Sequence, residues 1–342
     1  GENCGRSEFT YGSLIRTLVL PDGADQDDVN ATYDRGILTV SVPLSDEHRL
    51  EKHVEVIEIV AIEDDADGSD RIDQGRRVAV LTGAGMSTDS GIPDYRGPDS
   101  PPSNPMTIRQ FTTDPEFRQR YWARNHIGWR HMHATLPNAG HRALAQLERA
   151  GVVTGLITQN VDLLHTKAGS RAVVNLHGTY AQVVCLQCGH TMSRDELAAE
   201  LERLNPGFTE RAEAVGGIAV APDADAMVTE TASCRFLDCP RCGGMLKPDI
   251  VYFGESVPKE RVERAYSLVD DADALLVAGS SLTVFSGYRF VRHAAAAGKP
   301  IAIINRGLTR GDDLATVKID NGCSPMLALL ADELPAVVDV TT

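Results

Sequence analysis

No run of apolar residues in this chain approaches the ~20 needed to cross a bilayer as a helix, and no charged-then-apolar leader follows the first residue. Neither a spanning helix, a secretory signal nor a membrane partner is therefore expected. Positive charge is also scarce: 33 Lys and Arg stand against 48 Asp and Glu, a formal net charge of −15. That balance argues against a domain built to grip a phosphate backbone, so no direct nucleic acid binding is expected, although a basic protein segment stays admissible as a substrate. No internal period is present. The chain opens on Gly1 in place of Met and reads as a piece of a longer protein. Seven cysteines are too few and too patterned for a disulfide frame. Four of them form two C-x-x-C pairs, which points to metal ligation in a reducing, cytoplasmic setting.

Hydrophobic residues at 42% and charged residues at 24% of 342 residues suit a globular chain with one large domain and a small one, or two ordinary ones. Residues 1–62 read as β structure, with strands at 13–20, 37–42 and 53–59, Pro21-Asp22-Gly23 closing the first and Asp34-Arg35-Gly36 opening the second. Residues 63–75 are acidic, small and poor in large apolar groups, which is a linker composition. From residue 76 strands alternate with helices: strands at 77–82, 152–158, 173–176, 274–278 and 300–304, helices at 138–150, 259–269 and 288–297. Apolar, unpatterned strands in such alternation imply an α/β fold, a Rossmann-like doubly wound parallel sheet covered on both faces.

The chemistry-bearing residues cluster at strand ends. The strand at 77–82 runs into Gly83-Ala84-Gly85, where missing Cβ atoms let backbone N–H groups approach a pyrophosphate; the third glycine of the dinucleotide fingerprint is absent. Gln159, Asn160, Val161 and Asp162 directly follow the strand at 152–158, at the sheet edge where open α/β folds bind ligands. His177 follows the strand at 173–176, and histidine is the side chain able to accept a proton near neutrality. Cys185/Cys188 and Cys239/Cys242 each offer two adjacent thiolates, and together they complete a closed tetrahedral zinc site, structural because no position stays open for water. The insert between the pairs holds a helix opened by a capping box of Ser193 and Glu196. Cys234 reads as a spare thiol, and His165 as a structural, hydrogen-bonding histidine.

Three stretches carry a family resemblance. Gly83-Ala84-Gly85-Met86-Ser87-Thr88-Asp89-Ser90-Gly91-Ile92-Pro93-Asp94-Tyr95-Arg96-Gly97, then Thr158-Gln159-Asn160-Val161-Asp162, then Leu176-His177-Gly178 resemble the motifs of sirtuins, NAD-dependent protein deacylases. The resemblance implies that Ala84, Ser87, Asp94, Tyr95 and Arg96 line an NAD pocket, Tyr95 over the nicotinamide and Arg96 near the phosphates and ribose. It gives Gln159 and Asn160 to the nicotinamide ribose and Asp162 to the carboxamide. His177 becomes the base that takes the proton of a ribose hydroxyl after the acyl oxygen has attacked C1′, with O-acyl-ADP-ribose, nicotinamide and free lysine as products. Gly279, Ser280 and Ser281 fall to the adenosine side, as do Asn305, Arg306 and Gly307, and Cys323 stands behind the adenine. Val251, Tyr252, Phe253 and Gly254 offer a backbone edge to the acyl-lysine peptide.

The finer resemblance is to class II sirtuins, the lipoamidase and ADP-ribosyltransferase branch, through 118–125, His165-Thr166-Lys167-Ala168-Gly169-Ser170 and Ser286-Gly287-Tyr288-Arg289-Phe290. Tyr121 and Arg124 stand one helical turn apart and match a pair that binds acyl carboxylates in the desuccinylase branch, so an acidic acyl preference is expected of them. The whole resemblance implies a catalytic domain over 76–338 with a zinc module at about 180–250. Protein mono-ADP-ribosylation is the rival reading. Residues 5–13, 20–24 and 31–40 resemble the carboxy-terminal half of the α-crystallin domain of small heat shock proteins, whose first half is missing here. A chaperone-like scaffold is the second alternative.

Overall fold

The computed structural model describes residues 77–97, 105–214, 226 and 231–332, and the backbone of three short strands near the amino terminus. The chain divides into two units, 1–75 with 332–342, and 76–331. In the first, β1 (Asn30–Asp34), β2 (Ile37–Ser41) and β3 (Val54–Val56) form an antiparallel sheet in that order, with Asp34 opposite Ile37 and Val40 opposite Val54. The strand expected at 13–20 and the acidic linker lie outside the described residues.

The second unit is built on six parallel strands in the order β12-β11-β10-β4-β5-β6: β4 (Val78–Thr82), β5 (Val153–Thr158), β6 (Val173–Asn175), β10 (Ala274–Ala278), β11 (Ile301–Ile304) and β12 (Val317–Ile319). Most Val, Ile, Leu and Ala side chains of β4, β5, β10 and β11 are buried because helices cover the sheet, while those of the edge strand β12 are half-buried. Leu81, Ile157, Val277 and Ile303 share one core with Ala265 and Val269 of α7 (Lys259–Asp270) and with Phe290, Val291 and Ala294 of α8 (Phe285–Ala296). Other helices are α1 (Ile108–Thr113), α2 (Pro115–Ala134), α3 (Ala139–Arg149), α4 (Leu164–Ala168) and α9 (Cys323–Asp332). Asp114 caps α2 ahead of Pro115, and Asn138 with His141 makes a capping box for α3.

The first strand of this unit, β4, lies inside the sheet. Later strands add to its two sides, β5 on one and β10 on the other. The strand order therefore reverses at β4, and a crevice opens at the carboxyl ends of β4 and β10. A smaller antiparallel sheet, β8-β7-β9, leaves and rejoins the chain after His177: β7 (Gly178–Cys185), β8 (Thr191–Ser193) and β9 (Leu246–Ile250). It carries α5 (Arg194–Leu204), capped by Ser193 and Glu196, and α6 (Phe208–Ala214). Leu197 and Leu201 of α5 join Val183, Leu246 and the aromatic residues of α2 in a second core.

Candidate active site

The crevice is a cleft of about 880 Å³, within the range of ligand sites. Its floor is the switch point. Gly85 N–H donates to the Gly279 carbonyl at 2.9 Å, and Gly83 N–H to the Ala278 carbonyl at 3.2 Å, so the loops after β4 and β10 touch backbone to backbone. Glycine is required there: Gly279 has φ +66°, and a Cβ on it would collide with the amide of Met86.

Strand-end polar side chains close one network above this floor. Asn160 Nδ2 donates to the Gly83 carbonyl (2.9 Å) and to Ser87 Oγ (3.0 Å), and Ser87 Oγ donates to Asp162 Oδ2 (2.6 Å). Asp162 Oδ1 accepts from Leu164 N, and burial pushes the Asp162 carboxyl up while the Ser87 hydrogen bond opposes that rise. Gln159 Oε1 accepts from Ser280 Oγ at 2.7 Å. Behind the network, His165 Nε2 meets Thr82 Oγ1 at 2.9 Å, and Thr82 Oγ1 bonds Thr158 Oγ1. Buried His165 thereby ties the ends of β4 and β5 together, with a pKa driven well down by burial.

His177 sits at the wall between the large sheet and the small one. Its Nδ1 is 3.0 Å from the Gln159 main-chain oxygen, which only accepts, so Nδ1 carries the hydrogen and Nε2 presents a lone pair. Burial lowers the imidazole to about 4, against the Gln159 hydrogen bond and with help from the Arg261 and Arg289 charges. His177 is thus neutral at pH 7, with Nε2 as its hydrogen-bond acceptor toward the cleft residue Ser286.

Of the expected nucleotide-binding residues, Ala84, Gly85, Ser87, Asp94, Tyr95 and Arg96 line the cleft. So do Gln159, Asn160, Val161 and Asp162, the run Gly279-Ser280-Ser281 and the run Asn305-Arg306-Gly307. Val251, Tyr252, Phe253 and Gly254 form the opposite wall, where Tyr95 and Phe253 meet edge to face at 6.3 Å. Gly83, Thr88 and Cys323 stand behind this lining. Gly83 supplies the carbonyl that Asn160 holds, and Thr88 Oγ1 donates to the Gly85 carbonyl. Cys323 points its thiol, pushed up to about 12 by burial, at the Ile304 carbonyl.

Among the described residues that line the cleft, Tyr121 and Arg124 do not appear. Tyr121 is 1% exposed and packs edge to face with Phe111, Trp122 and Tyr252. Among the cleft residues to which the sequence reading gave no role are Ser286 and Arg289 at the start of α8. Their signal was small and polar side chains at a helix amino terminus, opposite a strand-end histidine.

The four Sγ atoms of Cys185, Cys188, Cys239 and Cys242 lie within 4.8 Å of one another, with Cys185–Cys242 at 3.5 Å and Cys188–Cys239 at 3.8 Å. A tetrahedral ZnS₄ site with Zn–S of ~2.3 Å has S···S edges of about 3.8 Å, close to these two pairs, so the four thiols fit a zinc ion with small shifts. The backbone N–H of Cys188 leads the effects that lower Cys185 to about 6, favouring the ligating thiolate. At Gly244 a Cβ would run into Gln187 and Cys185 Sγ, so the knuckle needs glycine. Cys234 lies elsewhere, packed with Ala123, Ile127 and Phe208 and raised to about 11 by burial.

Comparison with known proteins bears on this arrangement. The model of the Sir2 family matches residues 83–286, the span that contains the β4 loop, the strand-end amides, His177 and all four zinc-site cysteines. This chain belongs to the Sir2 family. It is 79% identical over 260 residues, 76% of the chain and 92% of the relative, to NAD-dependent protein deacetylase 1 of Mycobacterium avium. It is 53% identical over 261 residues, 75% of the chain and 86% of the relative, to a Streptomyces coelicolor protein of the same name. Among solved structures, a Sir2–p53 peptide–NAD+ complex superposes with a TM-score of 0.60 at 31% identity, covering 75% of this chain and 93% of that one. The Hsp20/alpha crystallin family model matches residues 1–59, ahead of the Sir2 span. Among the described residues no helix is long and apolar enough to cross a membrane.

Proposed function

We propose that this chain removes acyl groups, acetyl among them, from lysine side chains of proteins and consumes NAD as it does so. The observation that carries the reading is the neutral imidazole of His177, its Nε2 lone pair on the cleft side of the strand-order switch point. The names of the relatives and the peptide- and NAD-bound neighbour support it. In this reading Tyr95 covers the nicotinamide, Asp162 takes its carboxamide, and Gln159 and Asn160 hold the adjoining ribose. Arg96 meets the phosphates, since the Gly83 and Gly85 N–H groups are held by the Ala278 and Gly279 carbonyls. The 279–281 and 305–307 loops and Cys323 frame the adenosine, and Val251–Gly254 lends its edge to the peptide. His177 accepts the ribose hydroxyl proton, and the uncharged state set by its burial is the one that can do so. Zinc on the four cysteines would hold β7 and β9 together and, with its coordination closed, leave the chemistry to the cleft.

The motif at 286–290 supports membership of the class II branch, and the thiol-rich zinc module supports a reducing, cytoplasmic setting. We assign residues 1–62 to an α-crystallin-like segment, 63–75 to a linker and 76–338 to the catalytic domain. The test is nicotinamide release from NAD with acetyl-, glutaryl- and lipoyl-lysine peptides, beside His177→Ala, with products weighed by mass spectrometry. O-acyl-ADP-ribose and free lysine are expected. ADP-ribose attached to a protein, with the acyl group retained, would replace deacylation by mono-ADP-ribosylation.

A further inference from the structure

The second residue of α8 puts a hydroxyl on the imidazole. Ser286 Oγ lies 2.8 Å from His177 Nε2, and Ser286 lines the same cleft. Because Nδ1 keeps its hydrogen for the Gln159 carbonyl, Nε2 is the acceptor and Ser286 the donor. The contact is built into the fold. Gly287, the next residue, is buried, and a Cβ there would stand 2.7 Å from Gln159 Nε2 and 2.8 Å from its Cδ. A bare glycine therefore lets the first turn of α8 close on Gln159. That one approach serves both ring nitrogens: Gln159 fixes Nδ1 and Ser286 occupies Nε2. Among the described residues Ser286 Oγ has no second hydrogen-bond partner, so its lone pairs are free to accept from a ligand. A ligand hydroxyl that is to lose a proton to Nε2 meets Ser286 first.

We infer that Ser286 is a second catalytic residue, relaying the proton of a ribose hydroxyl of NAD to His177 Nε2. This rests on the reading of His177 as the base. In the step, the ribose O–H bond breaks and its hydrogen forms a new bond to Ser286 Oγ. The hydrogen that Ser286 held passes to Nε2, giving imidazolium. The electron pair left on the ribose oxygen forms the bond to the acyl carbon, whose π bond to the lysine nitrogen breaks and gives its pair to that nitrogen. Serine ends with one hydrogen, as it began, and no oxidant or further reactant is required.

The experiment is single-turnover and steady-state deacylation of an acetyl-lysine peptide by the full chain, its Ser286→Ala, Ser286→Thr and His177→Ala forms, in H₂O–D₂O mixtures. Removing the relay is expected to lower the chemical rate and kcat by about 10- to 100-fold, leave KM for NAD within about threefold, and change a bowed proton inventory to a straight one. Ser286→Thr, which restores a hydroxyl, recovers most of the rate. Wild-type kcat in Ser286→Ala, or an inventory as bowed as that of the parent, overturns the relay while an inactive His177→Ala keeps the base assignment. An active His177→Ala removes the base, and the relay with it.

Discussion

A histidine at a strand end is ordinary until its two nitrogens are accounted for. At His177 a carbonyl fixes one and a hydroxyl faces the other, and burial holds the ring near 4. Since the depressed pKa keeps the base form as pH falls, kcat/KM is expected to stay level from about pH 7.5 to about pH 5.5. An imidazole at the unperturbed ~6.5 would already have lost about 90% of its base form there. A pH–rate profile with an acid limb centred near 6.5 would contradict the burial argument. His177→Ala should lower kcat by at least ~100-fold while the melting temperature moves by only a few degrees. Residues of this kind were legible because they directly follow apolar strands, where local sequence already says which edge they occupy. Tyr121 and Arg124 are a different kind of signal: spacing puts two side chains on one helix face, and their role in acyl choice rests on the family resemblance. Ser286 escaped for a related reason, its partner being 109 residues away in the chain.

Elements were legible where their period was clean. The strands 77–82 and 274–278 and the helices 138–150 and 259–269 correspond to β4, β10, α3 and α7 within a residue or so. α2 was not read as a 20-residue helix because its burial runs through consecutive positions, Tyr121 to Ala123 and Asn125 to Trp129, leaving no single stripe; the sequence reading placed only the turn from Tyr121 to Arg124 on a helix. Loops between elements depend on contacts that no local pattern encodes. Lys247 of β9, 3% exposed, donates to the Ile250 carbonyl and to the Glu255 carboxylate, which also accepts from Tyr252 N, so one ion pair shapes the cleft wall at 250–255. Glu255→Gln leaves the buried ammonium without its counter-charge. We expect a loss of roughly 2–4 kcal/mol, less than the ~3–5 of a fully buried pair because the carboxylate is partly exposed, together with a raised KM for peptide; urea unfolding and peptide titration measure the two effects. Gly279→Ala forces a side chain onto φ +66° against the Met86 amide and should cost more than ~2 kcal/mol. Its melting curve and its NAD affinity should fall together.

At the scale of the molecule, acid should weaken the fold. His141 is lowered to about 4, His177 likewise, and His165 is driven well below its usual value, each chiefly by burial. The unfolded chain then binds more protons than the folded one below about pH 6.5, so stability present above that pH is lost as pH falls toward about 4. Each ring contributes on the order of 1–2 kcal/mol between pH 7 and pH 5; Asp162, raised by burial, works in the opposite direction but stands alone against these rings and His126, which burial also lowers. Melting temperatures at the two pH values measure the difference, and equal values would speak against it. Metal analysis should find about one zinc per chain, with Cys185→Ser or a strong chelator loosening the β7–β9 module before the large sheet. The α/β class and the cysteine pairs were legible because strand alternation and C-x-x-C spacing are local signals. The join between the two sheets was not, since it is made by residues far apart in the chain. At that join Val251 N–H donates to the His177 carbonyl at 2.8 Å, and Gly178 pairs with Ile250. The segment that would grip a peptide and the ring that would deprotonate a sugar are thus riveted to a common beam, so a peptide that seated badly would be expected to tilt the ring out of line, turning misfit at one end into idleness at the other.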